Sequence, residues 1–101
     1  MEEGISRIKL VADEVFDYLL KKYREGVISV RLGEIEEYLC DKYCGKLFKD
    51  RRSVNAYVNY VVKRLYKYDV IIVTKEIGEK GYRVSLSLNY LSSSMYGGRR
   101  R

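Results

Sequence analysis

Residues 51–68 read RRSVNAYVNYVVKRLYKY. Apolar residues recur there at three- and four-residue steps, which predicts a helix over 51–67. Taking about 100° per residue with Val54 as origin, Val58, Val61 and Leu65 fall within about 40° of it, with Tyr57 and Val62 at the margins. That stripe is the predicted buried side. Opposite it lie Arg52, Asn55, Ala56, Asn59, Lys63 and Lys67, with Tyr60 beside them. Asparagine is a mediocre helix former, because its amide competes for backbone hydrogen bonds. A face built only for solubility is better served by Glu–Lys pairs four residues apart. Asparagine does, however, pair bidentately with adenine in the major groove, as Arg or Lys does with guanine. Ala56 lets the helix approach closely or touch a thymine methyl, and no acidic residue occurs between Asp50 and Asp69. The face therefore predicts base or phosphate reading; two asparagines merely tolerated on an exposed helix are the bland alternative.

Working outward, Asp50 is a predicted N-cap for this helix. Upstream, Ile5, Ile8, Ala12, Val15, Phe16, Leu19 and Tyr23 line one face of a helix over about residues 5–25, with Gly26 as its C-terminal cap. VISV (27–30) predicts a short strand. Leu32, Ile35, Leu39 and Tyr43 mark a second helix ending near Gly45, capped by Ser29 or a neighbour, with Glu34, Glu36, Glu37 and Asp41 on its solvent faces. In the connector GKLFKD, Leu47 and Phe48 are expected to plug the core. After Tyr68 the period becomes two: DVIIVTKE and YRVSLSL predict a β-hairpin around IGEKG, where Gly78 and Gly81 supply positive φ. In the second strand Tyr82, Val84, Leu86 and Leu88 are expected to point one way, and Arg83, Ser85 and Ser87 the other. NYLSSSMYGGRRR, with its small polar residues and arginines, predicts a flexible basic tail over 89–101 after a single domain at 1–88.

Composition narrows the partner. The 101 residues carry a net charge of +6, unevenly placed: net −3 over residues 1–45 and +9 over 46–101. A basic half beside a mildly acidic one predicts a polyanion met by one side of the fold. No apolar run approaches the roughly 20 residues that span a bilayer, and the acidic N-terminus is no signal peptide, so the expectation is a cytoplasmic, nucleoid-associated protein. The chain has no His, Trp, Pro or Gln, and abundant Lys, Arg and Glu suit a thermophile.

The order helix, short strand, helix, connector, helix, β-hairpin resembles the winged helix-turn-helix family, in the form of a small archaeal or archaeal-virus transcriptional regulator. The resemblance rests on VISVRLGEIEEYL, SVNAYVNYVVKRLYKYDVIIV and GEKGYRVSL, and covers residues 5–88. It implies an α+β fold of three helices, a short strand and a C-terminal wing. It further implies that double-stranded DNA is met in the major groove by the third helix and at phosphates or the minor groove by the wing at 75–83. Carried onto this sequence, the groove-facing residues are Arg51, Arg52, Asn55, Ala56, Asn59, Tyr60 and Lys63, and the wing contacts are Lys75, Lys80 and Arg83. Arg99, Arg100 and Arg101 add non-specific phosphate attraction. The connector from Tyr43 to Asp50 is longer than the usual tight turn, which leaves the angle between the second and third helices open.

RNA or a ribonucleoprotein is the alternative partner, with Tyr90 and Tyr96 available for stacking on bases. A protein-interaction domain of transcription or replication machinery is a third reading. Val11 and Tyr18, seven apart and flanked by Val15, lie off the main stripe of the first helix and offer either a homodimer seam through Val11, Val15 and Tyr18 or a packing site for the terminal segment near Tyr90–Met95. Cys40 and Cys44, four apart on a helix, are poorly placed for a mutual disulfide and, without His, do not complete a zinc site within one chain. Cys40 is expected as a small buried hydrophobe. No histidine, phosphate-binding loop or dinucleotide motif is present, so neither enzyme chemistry nor a cofactor is expected.

Overall fold

The computed structural model describes residues 2–75, 78 and 80–97, with side chains from residue 6 to residue 92 of these. It is an α+β fold: α1 (Glu2–Arg24), β1 (Ser29–Arg31), α2 (Leu32–Tyr43), α3 (Arg51–Lys67), β2 (Ile71–Thr74), β3 (Arg83–Leu86) and α4 (Leu88–Gly97). The strands form one antiparallel sheet in the order β1-β3-β2, with Val30 opposite Val84 and Val84 opposite Val73. This arrangement is compatible with a winged helix. Among the described residues no helix is long and apolar enough to cross a membrane.

One core joins helices and sheet. Val11, Val15 and Leu19 of α1, Ile35 and Leu39 of α2, and Val54, Val58, Val61 and Val62 of α3 bury their side chains against Val30, Ile71, Val84 and Leu86 of the strands. The α3 stripe read from periodicity is thus the buried one, and Asp50 caps α3 through Oδ1, which accepts from the Ser53 amide at 3.0 Å. α1 ends as expected at Gly26, φ +91°, where the amides of Gly26 and Val27 bond back to Tyr23 and Lys22. α3 ends in the same motif with Asp69 in the left-handed position at φ +61°: its amide bonds to the Tyr66 carbonyl and that of Val70 to Leu65. Gly78 and Gly81 take the positive φ expected at the hairpin tip.

Several expectations are corrected. The first strand starts two residues late, because the reversal at Gly26 ties Val27 to α1 and leaves Ile28 exposed. Of the cap positions expected, Ser29 or a neighbour, it is Arg31 that precedes α2, and its amide donates to Glu34 Oε2 at 3.0 Å. Of the connector pair only Phe48 is buried; Leu47 is exposed. Leu88 has left the strand and Tyr82 precedes it, so both are exposed, whereas Ser87 is buried where its Oγ accepts from the Tyr90 amide. That cap starts α4, so 88–97 is helical where a flexible tail was expected. Tyr90 meets Phe16 of α1 edge-on at 6.1 Å, and Leu91 packs on the core.

The predicted dimer seam is also corrected. Val11 and Val15 are fully buried between α1 and its neighbours, and Tyr18 lies against Tyr38 of α2 at 4.7 Å. A helix covered by α2, α3 and α4 has apolar residues on more than one face without needing a second chain. Cys40 and Cys44 are joined in a disulfide, against expectation. The helical spacing that disfavours such a bridge does not apply, since α2 stops at Tyr43 and Cys44 has extended backbone (ψ 136°), bringing the two Cα atoms to 4.6 Å.

Nor do all carboxylates lie on solvent faces. Glu14 of α1 accepts hydrogen bonds from Lys42, Tyr38 and Tyr43 at the end of α2, with the nearer Lys42 contact at 2.9 Å. Burial opposes its ionisation, and the hydrogen bonds from Tyr43 and Lys42 outweigh burial, so its pKa lies below the usual carboxylate value of 4.5. A lowered folded-state pKa contributes stability that is complete above the unfolded value and lost as pH falls through the folded one. Glu14→Gln is therefore expected to cost about 1 kcal/mol at neutral pH, shrinking toward zero as the pH is lowered below 4.5. Urea unfolding of both proteins across that range checks it; a pH-independent difference would refute the ionic origin.

Candidate nucleic-acid interface

The outward side of α3 is displayed as its periodicity predicts. Arg52, Ala56, Asn59, Lys63 and Lys67 are all exposed, opposite the buried valines. Asn59 is held in place by its own helix: Nδ2 donates to the Asn55 carbonyl at 2.8 Å. Its Oδ1 and second amide hydrogen remain for a ligand, so the bidentate geometry that adenine requires is still open to it.

Asn55 is different. It is only half exposed, and its Oδ1 is buried and accepts no hydrogen bond. At about 100° from Val54 the residue lies on the flank beside Val62, not on the crest. The acceptor needed for reading adenine therefore faces inward in this arrangement, and Asn59 is the better displayed of the two asparagines. An unsatisfied buried acceptor costs about 1–3 kcal/mol, and alanine is the better helix former. Asn55→Ala is expected to raise stability by about 1 kcal/mol once lost packing is offset, read as a higher urea midpoint. A drop in the midpoint would show that the Asn55 amide has a stabilising partner.

The remaining candidates divide into three neighbourhoods. Asn59 and Lys63 of α3 line one groove, of about 340 Å³, together with Lys75 of the hairpin. Two tyrosines share it, Tyr66 from α3 and Tyr82 just before β3, and Lys75 Nζ stands 5.5 Å from the Tyr82 ring centroid. Arg51 and Lys80 line the adjoining hollow, where Glu34, Glu36 and Glu37 of α2 also sit. Arg51 reaches Glu36 at 4.0 Å and the Gly33 carbonyl at 3.5 Å. Burial pushes the Glu36 carboxyl up, and the Arg51 charge opposes that shift. Arg51 thus lies within reach of α2, whose acidic first turns border the cationic surface.

Ala56 and Tyr60 open on the other flank of α3, beside Tyr57 and Ile8. There Arg64, which the spacing did not single out, donates to the Tyr60 hydroxyl at 3.3 Å and lies over the Tyr60 and Tyr68 rings. Arg83 is half-buried in β3, where Nη1 donates to Ser29 Oγ at 3.4 Å across the sheet, so it belongs to the sheet face rather than the hairpin tip. Arg99, Arg100 and Arg101 lie outside the described residues. Within the described residues no group of three or more His, Cys, Asp or Glu side chains is placed to hold a metal ion.

Tyr66 and Tyr82 are absent from the set read from sequence. Tyr66 stands about 120° from Val54, between the two asparagines, a position that places it on the same flank. Tyr82 carried no such signal, since strand alternation counted it inward. Comparison with protein-family models, with curated proteins and with solved structures returns no match for this chain.

Proposed function

We propose that this chain is a winged-helix protein that binds double-stranded DNA and regulates transcription, with α3 in the major groove and the β2–β3 hairpin against phosphates or the minor groove. One observation carries the reading: α3 has no acidic residue, it exposes Arg52, Ala56, Asn59 and Lys63, and two of these, Asn59 and Lys63, share a groove with hairpin Lys75. Phosphate affinity comes from Arg52, Lys63, Lys75 and Lys80, supplemented by the terminal arginines; base choice comes from Asn59 with Arg52.

The test is selection from a pool of random duplexes at two salt concentrations, followed by sequencing. Enrichment of a motif, with affinity falling steeply as salt rises, is the expected result. Salt-sensitive binding without enrichment would replace regulation by sequence-independent coating, and absence of binding at the lower salt would end the DNA reading.

A further inference from the structure

The groove between α3 and the hairpin has a chemistry that the backbone of an intact duplex does not use. Its floor is apolar: Leu32, Val62, Val73 and Val84, drawn from both sides of the cleft. Lys63 and Lys75 stand among its lining residues, and among the described residues no carboxylate does. Tyr66 and Tyr82 are held about half out of the protein, 55% and 49% exposed, instead of being folded onto the core.

We infer that this groove seats one unstacked nucleobase, so that the protein prefers duplexes carrying an unpaired nucleotide over perfectly paired ones. The inference rests on the DNA-binding reading and adds the form of DNA that is bound. An apolar floor favours an apolar occupant, whereas two lysine ammoniums favour an anion. A purely apolar partner segment would strand both charges, and a lone phosphate would leave the floor wet. A nucleotide answers both, with its ring over the floor and its phosphates on the lysines. Tyrosine rings stack on any base, because every base has a π-face. Asn59, anchored through Nδ2 to the Asn55 carbonyl, lines the same groove and adds a polar group to its wall. A groove of about 340 Å³ lies within the range of small-molecule sites, roughly 300–1,000 Å³. Extruding a paired base costs a few kcal/mol, least when the base is already unpaired, and that difference sets the preference.

Three duplexes of equal length test it with the full chain: one fully paired, one with a single extra unpaired adenine at its centre, and one with an abasic nucleotide at that place. The expected result in fluorescence anisotropy is about tenfold or greater preference for the unpaired adenine, with the abasic duplex bound like the paired one. Tyr82→Ala and Tyr66→Ala are each expected to reduce that preference while keeping the affinity for paired DNA, and Tyr82→Phe to retain it. Equal binding of paired and unpaired duplexes would overturn the inference and leave the DNA reading standing. So would an abasic duplex bound as tightly as the unpaired adenine, since flexibility alone would then explain the preference. Failure to bind any of the three at low salt would overturn both.

Discussion

Replacing Phe48 by alanine is expected to cost about 3–5 kcal/mol and to lower the melting temperature by roughly 12 °C or more. Phe48 is 2% exposed and sits where the connector after α2 turns into α3. Its ring meets Tyr57 of α3 at 5.2 Å and Tyr43 of α2 edge-on at 6.3 Å, so one side chain joins both helices. The backbone around it is equally committed: the Gly45 amide donates to the Phe48 carbonyl at 2.7 Å, and the Phe48 amide to Tyr43. Truncation leaves a cavity between helices that the rigid connector closes poorly. Leu47→Ala, at a side chain 43% exposed, serves as the control and is expected to change stability by less than about 0.5 kcal/mol. Calorimetric melting of the two variants decides the matter. Similar losses for both would mean that the two side chains share the burial assigned to Phe48.

These neighbouring residues also show what the sequence disclosed and what it withheld. Wherever a long element had one buried side, periodicity found it: the α3 stripe, its N-cap Asp50 and its bounds are legible from spacing alone. Leu47 and Phe48 looked equivalent because a seven-residue connector has no period, and which side chain turns inward depends on the Gly45 reversal. The α1 face misled for a different reason. A helix contacted on several sides shows apolar residues outside any single stripe, and Val11 and Tyr18 read as spare when they were already covered. Composition hid α4, whose run of serines before a glycine resembles a disordered tail; its docking depends on Tyr90 finding Phe16, a contact made across the whole chain. The candidate site followed the same rule. Residues on the crest of α3 were found, whereas the inward turn of the Asn55 amide depends on packing at the helix flank, and the groove that Tyr66 and Tyr82 share depends on where the hairpin lies against the helix; no local pattern encodes either.

On the proposed reading, Asn59 and Lys63 have separable signatures in DNA binding. Asn59→Ala is expected to weaken the selected duplex by about 1–3 kcal/mol, roughly 5- to 150-fold, while random duplexes bind as before. The lost contact is a base-edge pair, and it exists on one sequence only. Lys63→Ala is expected to weaken selected and random duplexes alike and to reduce the slope of log K against log salt by about 1, because one phosphate neutralisation has gone. Neither change touches the core, since both side chains are exposed, so the folding midpoint is expected to stay within about 0.5 kcal/mol of the parent. Binding measured at several salt concentrations against both duplexes distinguishes the two. If Asn59→Ala weakens both duplexes equally, its amide positions the helix on the backbone and the reading of sequence passes to Arg52. If Lys63→Ala leaves the salt slope unchanged, the exposed row of α3 is not the surface that meets phosphate, and the major-groove orientation fails with it.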